Sequence, residues 1–372
     1  MSIVKYCDTN GIPQGVDVSN GSVNVLLTDS TGTAVKQVDN KLRVSAMPYL
    51  YDIAEGNVSG HTVWTKIGFN PSITTTEEDI WSAGGSYVFP TGATAMAVIG
   101  GATDDGAPAI FSGTSTSGSL TTLTDTGKTF NAGATAAIGD CVILEKAGTT
   151  PEWGYITGVS ANTLTIAGGF SSGGTGSGRT YDVVDKALSV GAQAVKIDYL
   201  DTAYATKTEI VILNGTGEVN LTGQPFRINS FRVIATGSLN TSSATGLTLK
   251  AQTPTATVYS FITGGFTRAR NSVYTVPAGK TLYVTQFSGS YGTSGGPNKE
   301  YARIYTRANR EQATGFLTGS LFYPYTEIMA QNSSIPINID CPTKLAAMTD
   351  IKISAVATAA GAVSTVLRGW LE

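Results

Sequence analysis

Asn271-Ser-Val-Tyr-Thr-Val-Pro-Ala-Gly-Lys-Thr-Leu-Tyr-Val-Thr-Gln-Phe-Ser-Gly-Ser-Tyr291 is the stretch on which the fold turns. It reads as a short approach strand, a Pro277-Ala-Gly279 turn and a longer strand, because Pro and Gly at this spacing end one extended run and start another. Strand side chains alternate with a period of two. Leu282, Val284 and Gln286 are therefore expected on one face, and Tyr283, Thr285 and Phe287 on the other. Apolar residues on both parities predict a strand at least partly covered on both faces. The Gly-Lys-Thr ending is not a phosphate loop, because the position five before Gly279 is Tyr274 where that loop has a glycine.

The pattern recurs along the chain. Leu247–Lys250, Val258–Ile262, Tyr301–Tyr305, Phe316–Tyr325, Ile335–Ile339, Ile351–Val356 and Val363–Leu371 join the opening stretch as strand candidates. About eight strands over about 130 residues predict a two-sheet jelly roll for residues 238–372. Upstream, Val63, Thr65 and Ile67 alternate against Trp64, Lys66 and Gly68, and Tyr87–Phe89, Ala95–Ile99 and Ala194–Leu200 are further strands. Glu209–Leu213 ends in Asn214-Gly215, a strong hairpin signal. In Phe226–Ala235, apolar Phe226 and Ile228 lie on one parity and Phe231 and Val233 on the other. That switch predicts a β-bulge near Asn229-Ser230, or a strand crossing between two sheets. Residues 48–101 with 181–237 are expected to form a β-sandwich domain.

Residues 102–180 have a different texture. Thr121–Gly127, Asp140–Glu145, Trp153–Val159 and Asn162–Ile166 are short strands at a spacing that predicts a small closed β-barrel. Gly/Ser-rich flanks, Gly113–Gly118 and Ser171–Gly178, mark it as an insertion on flexible connectors. Residues 1–47 hold short strand-like runs without a large apolar face. Such runs are marginal alone, so this segment is expected to dock on the body of the chain or on another subunit. The fold class is thus all-β: β-sandwich/jelly-roll domains with a small inserted β-barrel.

Composition narrows the function. Of 372 residues, 14% are charged and 41% hydrophobic, with 44 glycines and a net charge of -3. The charged share is well under the roughly 25% of an average soluble protein. The balance excludes a disordered chain. It supplies no drive toward nucleic acid or an anionic membrane. Few charges and many small polar residues suit a chain that buries much surface against neighbours. No run approaches the roughly 18 apolar residues that span a bilayer. The N-terminus carries no apolar signal segment, so synthesis in a cytoplasm without a cleaved signal is expected. Cys7, Cys141 and Cys341 are odd in number and far apart, which predicts free thiols rather than a disulfide framework.

Catalytic and metal chemistry find little to build on. His61 is the one histidine; a Ser-His-Asp or Cys-His site would have to use it, and the chain has no nucleophile elbow. A site of several histidines is excluded by count. The carboxylates of Glu77-Glu78-Asp79 and Asp104-Asp105 show no sign of converging as a glycosidase pair must, and Asp104-Asp105-Gly106 departs from a calcium-loop pattern. Gly173–Gly178 lacks the phosphate-loop Lys. Arg268, Arg270, Arg303, Arg307 and Arg310 could face an acidic neighbour or guard strand edges. Tyr323, Tyr325, Trp153 and Tyr155 are candidate glycan contacts, with packing as their default role, and Trp64 and Trp81 are core or subunit-contact residues. No catalytic, cofactor-binding or metal residue is assigned, and no enzyme activity is expected.

Four segments carry a resemblance: Glu55–Phe69, Lys196–Leu200, Arg227–Ile234 and Tyr274–Val284. Together they resemble virion structural proteins of tailed bacteriophages, over roughly residues 48–372. The resemblance implies a non-enzymatic subunit on the virion, a capsid-exterior decoration or fibre anchored through its N-terminal segment. The alternative is a receptor- or glycan-binding tail fibre or tailspike. The implied partners are copies of itself, as a trimer, and other virion proteins such as the major capsid protein or tail proteins. A host surface glycan is a further candidate, with no direct nucleic acid, no membrane and no cofactor. The implied location is the virion, after synthesis in the host cytoplasm.

Overall fold

The Pro277-Ala-Gly279 turn carries the chain from one sheet to another. Lys280 N–H donates to the Pro277 carbonyl, and Gly279 sits at φ +70°, where a side chain would be strained. Before the turn, Tyr274–Thr275 pairs with Asp350–Ala357; after it, Leu282–Gly292 pairs with Ser334–Leu345 and Gly361–Leu371. The computed structural model describes residues 49–372 except 134, 171–175, 243–244, 293–300, 310–321 and 332–333, and, before them, four two-residue strands. Those strands form two antiparallel pairs, Tyr6–Cys7 with Pro13–Gln14 and Val18–Ser19 with Ser22–Val23. Otherwise the expected docking segment 1–47, part of the Gly173–Gly178 run and Arg310 lie outside the described residues, as do the side chains of Cys7, Cys341, Tyr323 and Tyr325.

Residues 52–372 form one compact unit. It is all-β, its strand pairs are antiparallel, and it contains two sandwiches and a curled sheet. In the C-terminal sandwich, one sheet runs Ser334–Leu345, Leu282–Gly292, Gly361–Leu371, Thr62–Ile73. The other runs Tyr274–Thr275, Asp350–Ala357, Ala302–Ala308, Tyr323–Ala330, with Glu78–Asp79 also on Asp350–Ala357. Between them lies a core that includes Leu282, Val284, Phe287, Ile304, Ile353 and Leu367. In the central sandwich, Thr206–Ile212, Ala192–Leu200 and Arg227–Thr236 face a sheet ordered Val219–Asn220, Met96–Gly100, Leu247–Ala251, Val258–Ile262, around Val98, Val195, Phe231 and Leu249.

These pairings cut across the divisions expected from sequence. Thr62–Ile73 closes the C-terminal sandwich, not the central one, and Leu247–Ile262 belongs to the central sandwich, not to the jelly-roll segment. Strand pairing is non-local, and hydrophobic parity says only that a face is buried, not against what.

The opening strand also departs from strict alternation. Val284 pairs with Gly369 and Gln286 with Arg368, so Thr285 is an extra, bulged residue. The bulge shifts parity. Phe287, Gly289 and Tyr291 therefore join Leu282 and Val284 on the buried face, and Gln286 leaves it. The bulge expected in Phe226–Ala235 is present: Asp198 pairs with Ser230 and Tyr199 with Ile228, which leaves Asn229 unpaired.

The inserted segment is not a closed barrel. Its seven strands run Phe111–Thr114, Thr180–Val184, Cys141–Leu144, Glu152–Val159, Thr163–Ile166, Thr122–Thr124, Ser117–Ser119. The sheet curls around Leu123, Phe130, Val142, Leu144, Ile156 and Leu164. Its two edges are consecutive stretches of one chain, with no ladder between them. Buried Ser115 turns the chain there, its N–H donating to Arg179 O at 2.9 Å and its hydroxyl to Gly176 O at 2.6 Å. Gly113–Gly118, expected as a flexible connector, thus supplies both edge strands. A Cβ at Gly113 would come 2.8 Å from Asp125 and 2.9 Å from the Tyr181 hydroxyl, so this glycine serves close packing.

The Asn214-Gly215 turn forms, with Gly217 N–H donating to Asn214 O at 2.8 Å and Gly215 at φ +56°. It is not a hairpin between neighbours. Thr206–Ile212 pairs with Ala192–Leu200, whereas Val219–Asn220 pairs with Met96–Gly100 in the opposite sheet. Turn chemistry sets the local reversal; burial of apolar residues on both sides sends the next strand across the core.

Candidate functional site

Where the two sandwiches meet, the polar groups are arranged with little slack. Arg227 and Asp350 are 1% and 0% exposed and form a bidentate pair, Nε to Oδ1 at 3.0 Å and Nη2 to Oδ2 at 3.1 Å. Arg227 also donates to Pro90 O at 2.7 Å and stacks 3.9 Å from the Phe226 ring. Asp350 accepts from the Thr275 hydroxyl and from Asn309 Nδ2. Burial pushes the Asp350 carboxyl above its ordinary range, while the guanidinium and the hydroxyl and amide donors pull it back. Bulged Asn229 ties the same joint: its Nδ2 donates to Thr275 O and its Oδ1 accepts from Thr275 N–H, each at 2.9 Å.

A cleft of about 640 Å³ opens beside this joint. Its floor is the outer face of the three-stranded sheet. Cross-strand register places Lys196 opposite Arg232 and Asp198 opposite Ser230. Lys66 enters from the neighbouring sandwich because it shares the inward parity of Trp64, Gly68 and Asn70 on Thr62–Ile73. Its Nζ donates to Asn229 O at 2.6 Å and lies 5.8 Å from the Tyr274 ring. Loss of water brings its pKa down to about 8, against the upward pull of Asp198. Along the edge of the same sheet runs Thr267–Ala269, which places Arg268 directly opposite Arg232.

Three cations, Lys66, Arg232 and Arg268, therefore line one cleft with one carboxylate, Asp198. That carboxylate already holds Lys196 at 2.8 Å and the Thr208 hydroxyl at 2.7 Å. Among the described residues, no ion pair is made by Lys66, Arg232 or Arg268. A second cleft, of about 750 Å³, continues past Thr206, which lines both, toward Lys196, Glu209 and the 147–152 loop.

Apart from Arg268 and Trp64, which line the cleft, the residues singled out in the sequence lie elsewhere or are held by their own contacts. The His61 ring bonds to Ser59 O at 3.0 Å and lies 3.9 Å from the Glu372 carboxylate. Glu77, Glu78 and Asp79 do not converge. Glu77 takes Tyr305 and Arg307, Glu78 takes Thr74 and Gly85 N–H, and Asp79 takes Tyr87 N–H, Lys352 and Ser354. Asp105 is buried and accepts from Ala192 N–H at 3.0 Å. No group of metal-ligating side chains forms among the described residues. Arg303 is bidentate to Glu327, and Arg270 lies between the Phe69 and Phe266 rings at 4.0 and 3.9 Å. Tyr155 donates to Ile234 O at 2.7 Å, and the Trp153 ring lies 5.6 Å from the Lys196 ammonium and 5.0 Å from the Arg232 guanidinium. Trp64 packs edge-on to Tyr274 and Trp81 to Tyr87, both in cores. Cys141 is a buried free thiol, pushed up to about 12 by burial.

Of the basic residues picked out in sequence, the cleft uses Arg268; Lys66, Lys196, Asp198 and Arg232 lie inside the segments that carry the resemblance but belong to no binding or catalytic motif. One signal pointed at the place, the parity switch at Asn229-Ser230; the inward parity of Lys66 is decided only by the burial of Trp64, Gly68 and Asn70. The chain matches no known protein-family model, and no characterised protein or solved structure is significantly similar to it.

Proposed function

We propose that the chain is a non-enzymatic structural component of a tailed-bacteriophage virion, a decoration or fibre subunit on the capsid exterior. One observation carries this reading. The four segments that resemble virion proteins are separated by up to two hundred residues in sequence, yet they meet at one joint. Lys66 of the first bonds Asn229 of the third, Asp198 of the second pairs with Ser230, and Thr275 of the fourth closes on Asn229. The resemblance thus falls on the contacts that join the two sandwiches, and a repeated building block needs such a joint. Self-association into a closed, symmetric oligomer is expected of a particle built from repeated copies, and a trimer is the state that jelly-roll precedent favours. Residues 1–47 are the anchor to the major capsid protein or a tail protein.

The test is mass spectrometry of gradient-purified particles from the source phage, followed by imaging of the intact particle. The expected result is the chain in fixed stoichiometry and density for both sandwiches at symmetry-related positions. Presence in the lysate with absence from purified particles would overturn the proposal. Release of reducing sugar from host polysaccharide by the pure protein would overturn its non-enzymatic part.

A further inference from the structure

We propose that the cleft lined by Lys66, Arg232 and Arg268 is a binding site for an anionic saccharide, one bearing carboxylate or phosphate groups. The inference stands on the cleft alone and holds wherever the chain is installed.

The first argument is charge. Arg232 and Arg268 lie directly opposite each other across a single antiparallel bridge at the sheet edge. Like charges at directly opposed positions destabilise a sheet. On a chain of net charge -3, nothing in the overall balance calls for that arrangement. Lys66 adds a third cation, partly stripped of water, whose fixed contact is a carbonyl oxygen rather than a carboxylate. The one carboxylate in the cleft is occupied by Lys196. An anion between the two guanidinium groups would relieve their repulsion and accept charge-assisted hydrogen bonds, the stronger class of such bonds.

The second argument is the rest of the lining. Around the cations stand hydroxyls and amides: Thr65, Thr206, Ser230, Thr267 and Asn271. These suit the hydroxyls of a sugar ring. The cleft volume of about 640 Å³ lies within the range of ordinary ligand sites. Continuation past Thr206 into the second cleft gives room for a chain rather than a single ring. An acidic protein segment is disfavoured because the aromatic groups of the lining, Trp64, Phe231 and Tyr274, are buried in the cores and offer no open aromatic anchor.

The test uses the full chain and titration calorimetry at low salt with four probes: an oligogalacturonate, its methyl ester, a sugar-phosphate oligomer of phosphodiester-linked hexoses and oligoglutamate. The expected result is binding of the uronate, the phosphate oligomer or both, at least tenfold tighter than the ester and weakening with added salt. The two acidic probes separate the carboxylate source from the phosphate source. R232Q with R268Q, both at exposed positions, is expected to lower affinity at least tenfold with the far-UV circular dichroism of the wild type retained, and K66M to lower it independently. Equal binding of ester and acid, no binding of either acidic sugar, or unchanged affinity in the double variant would overturn the site. Oligoglutamate bound as tightly as the sugars would overturn the saccharide assignment.

Discussion

At the scale of single residues, the chain concentrates its polar chemistry at one joint. Arg227 and Asp350 are a buried ion pair, and such a pair is costly to break because the survivor is left charged and dry. R227M is therefore expected to lose about 3–5 kcal/mol in urea unfolding, while R227M/D350L recovers most of that loss. Equal loss in the single and double variants would refute the pairing argument. Lys66 yields a pH prediction. Its folded-state pKa of about 8 lies below the ordinary 10.5, chiefly through lost hydration and against the pull of Asp198. The other charges lining its cleft, Arg232 and Arg268, are cations. Between those two values the unfolded chain binds more protons than the folded one, so stability rises with pH. The stability of wild type relative to K66M is expected to climb from about pH 8 to pH 10.5 and to be flat below pH 7. A fall over that window in chemical denaturation would contradict the burial of the ammonium.

At the scale of elements, bulges decide which side chains face which core. Thr285 moves Phe287 onto the buried face, and Asn229 turns a strand residue into a clamp between sandwiches. The second was legible because apolar residues change parity on either side of it. The first was not, since Gln286 and Phe287 are compatible with either register in an isolated strand. Glycines mark where backbones close in. Gly369 lies opposite both Val284 and Trp64, beside the Thr285 bulge, and a Cβ there would collide with the Tyr283 carbonyl. Gly369→Ala is expected to destabilise by about 1–3 kcal/mol, the usual range for overpacking, measured as a lowered denaturant midpoint. A neutral result would mean that the bulge absorbs the methyl group.

At the scale of the whole unit, the inserted sheet is a load on the central sandwich rather than a free appendage. Cys141, Ile143, Val184 and Trp153 pack on Ala194, Ile210, Ile212, Ile234 and Ala235, the outer face of the three-stranded sheet. The ends of the insertion meet, with Gly106 N–H donating to Ala192 O at 2.6 Å. Joining residues 106 and 191 directly is thus geometrically simple but exposes that apolar face. The shortened chain is expected to bind a hydrophobic dye and aggregate, and I210T/I234T in the same chain to restore solubility. A soluble, dye-silent deletion without those changes would refute the packing role.

Much of this molecule follows from local chemistry. The all-β class, the Pro277-Ala-Gly279 and Asn214-Gly215 turns, the Asn229 bulge and the existence of an inserted piece all rest on alternation, turn residues and composition, which act over a few neighbours. Partnership does not. That Thr62–Ile73 completes a sandwich made mostly from residues 274–371, that the curled sheet leaves its edges unpaired, and that Lys66, Arg232 and Arg268 share a cleft are outcomes of pairing between distant segments. Sequence parity tells a strand to bury a face, and only the competition among all such faces for the available apolar surface selects what it is buried against.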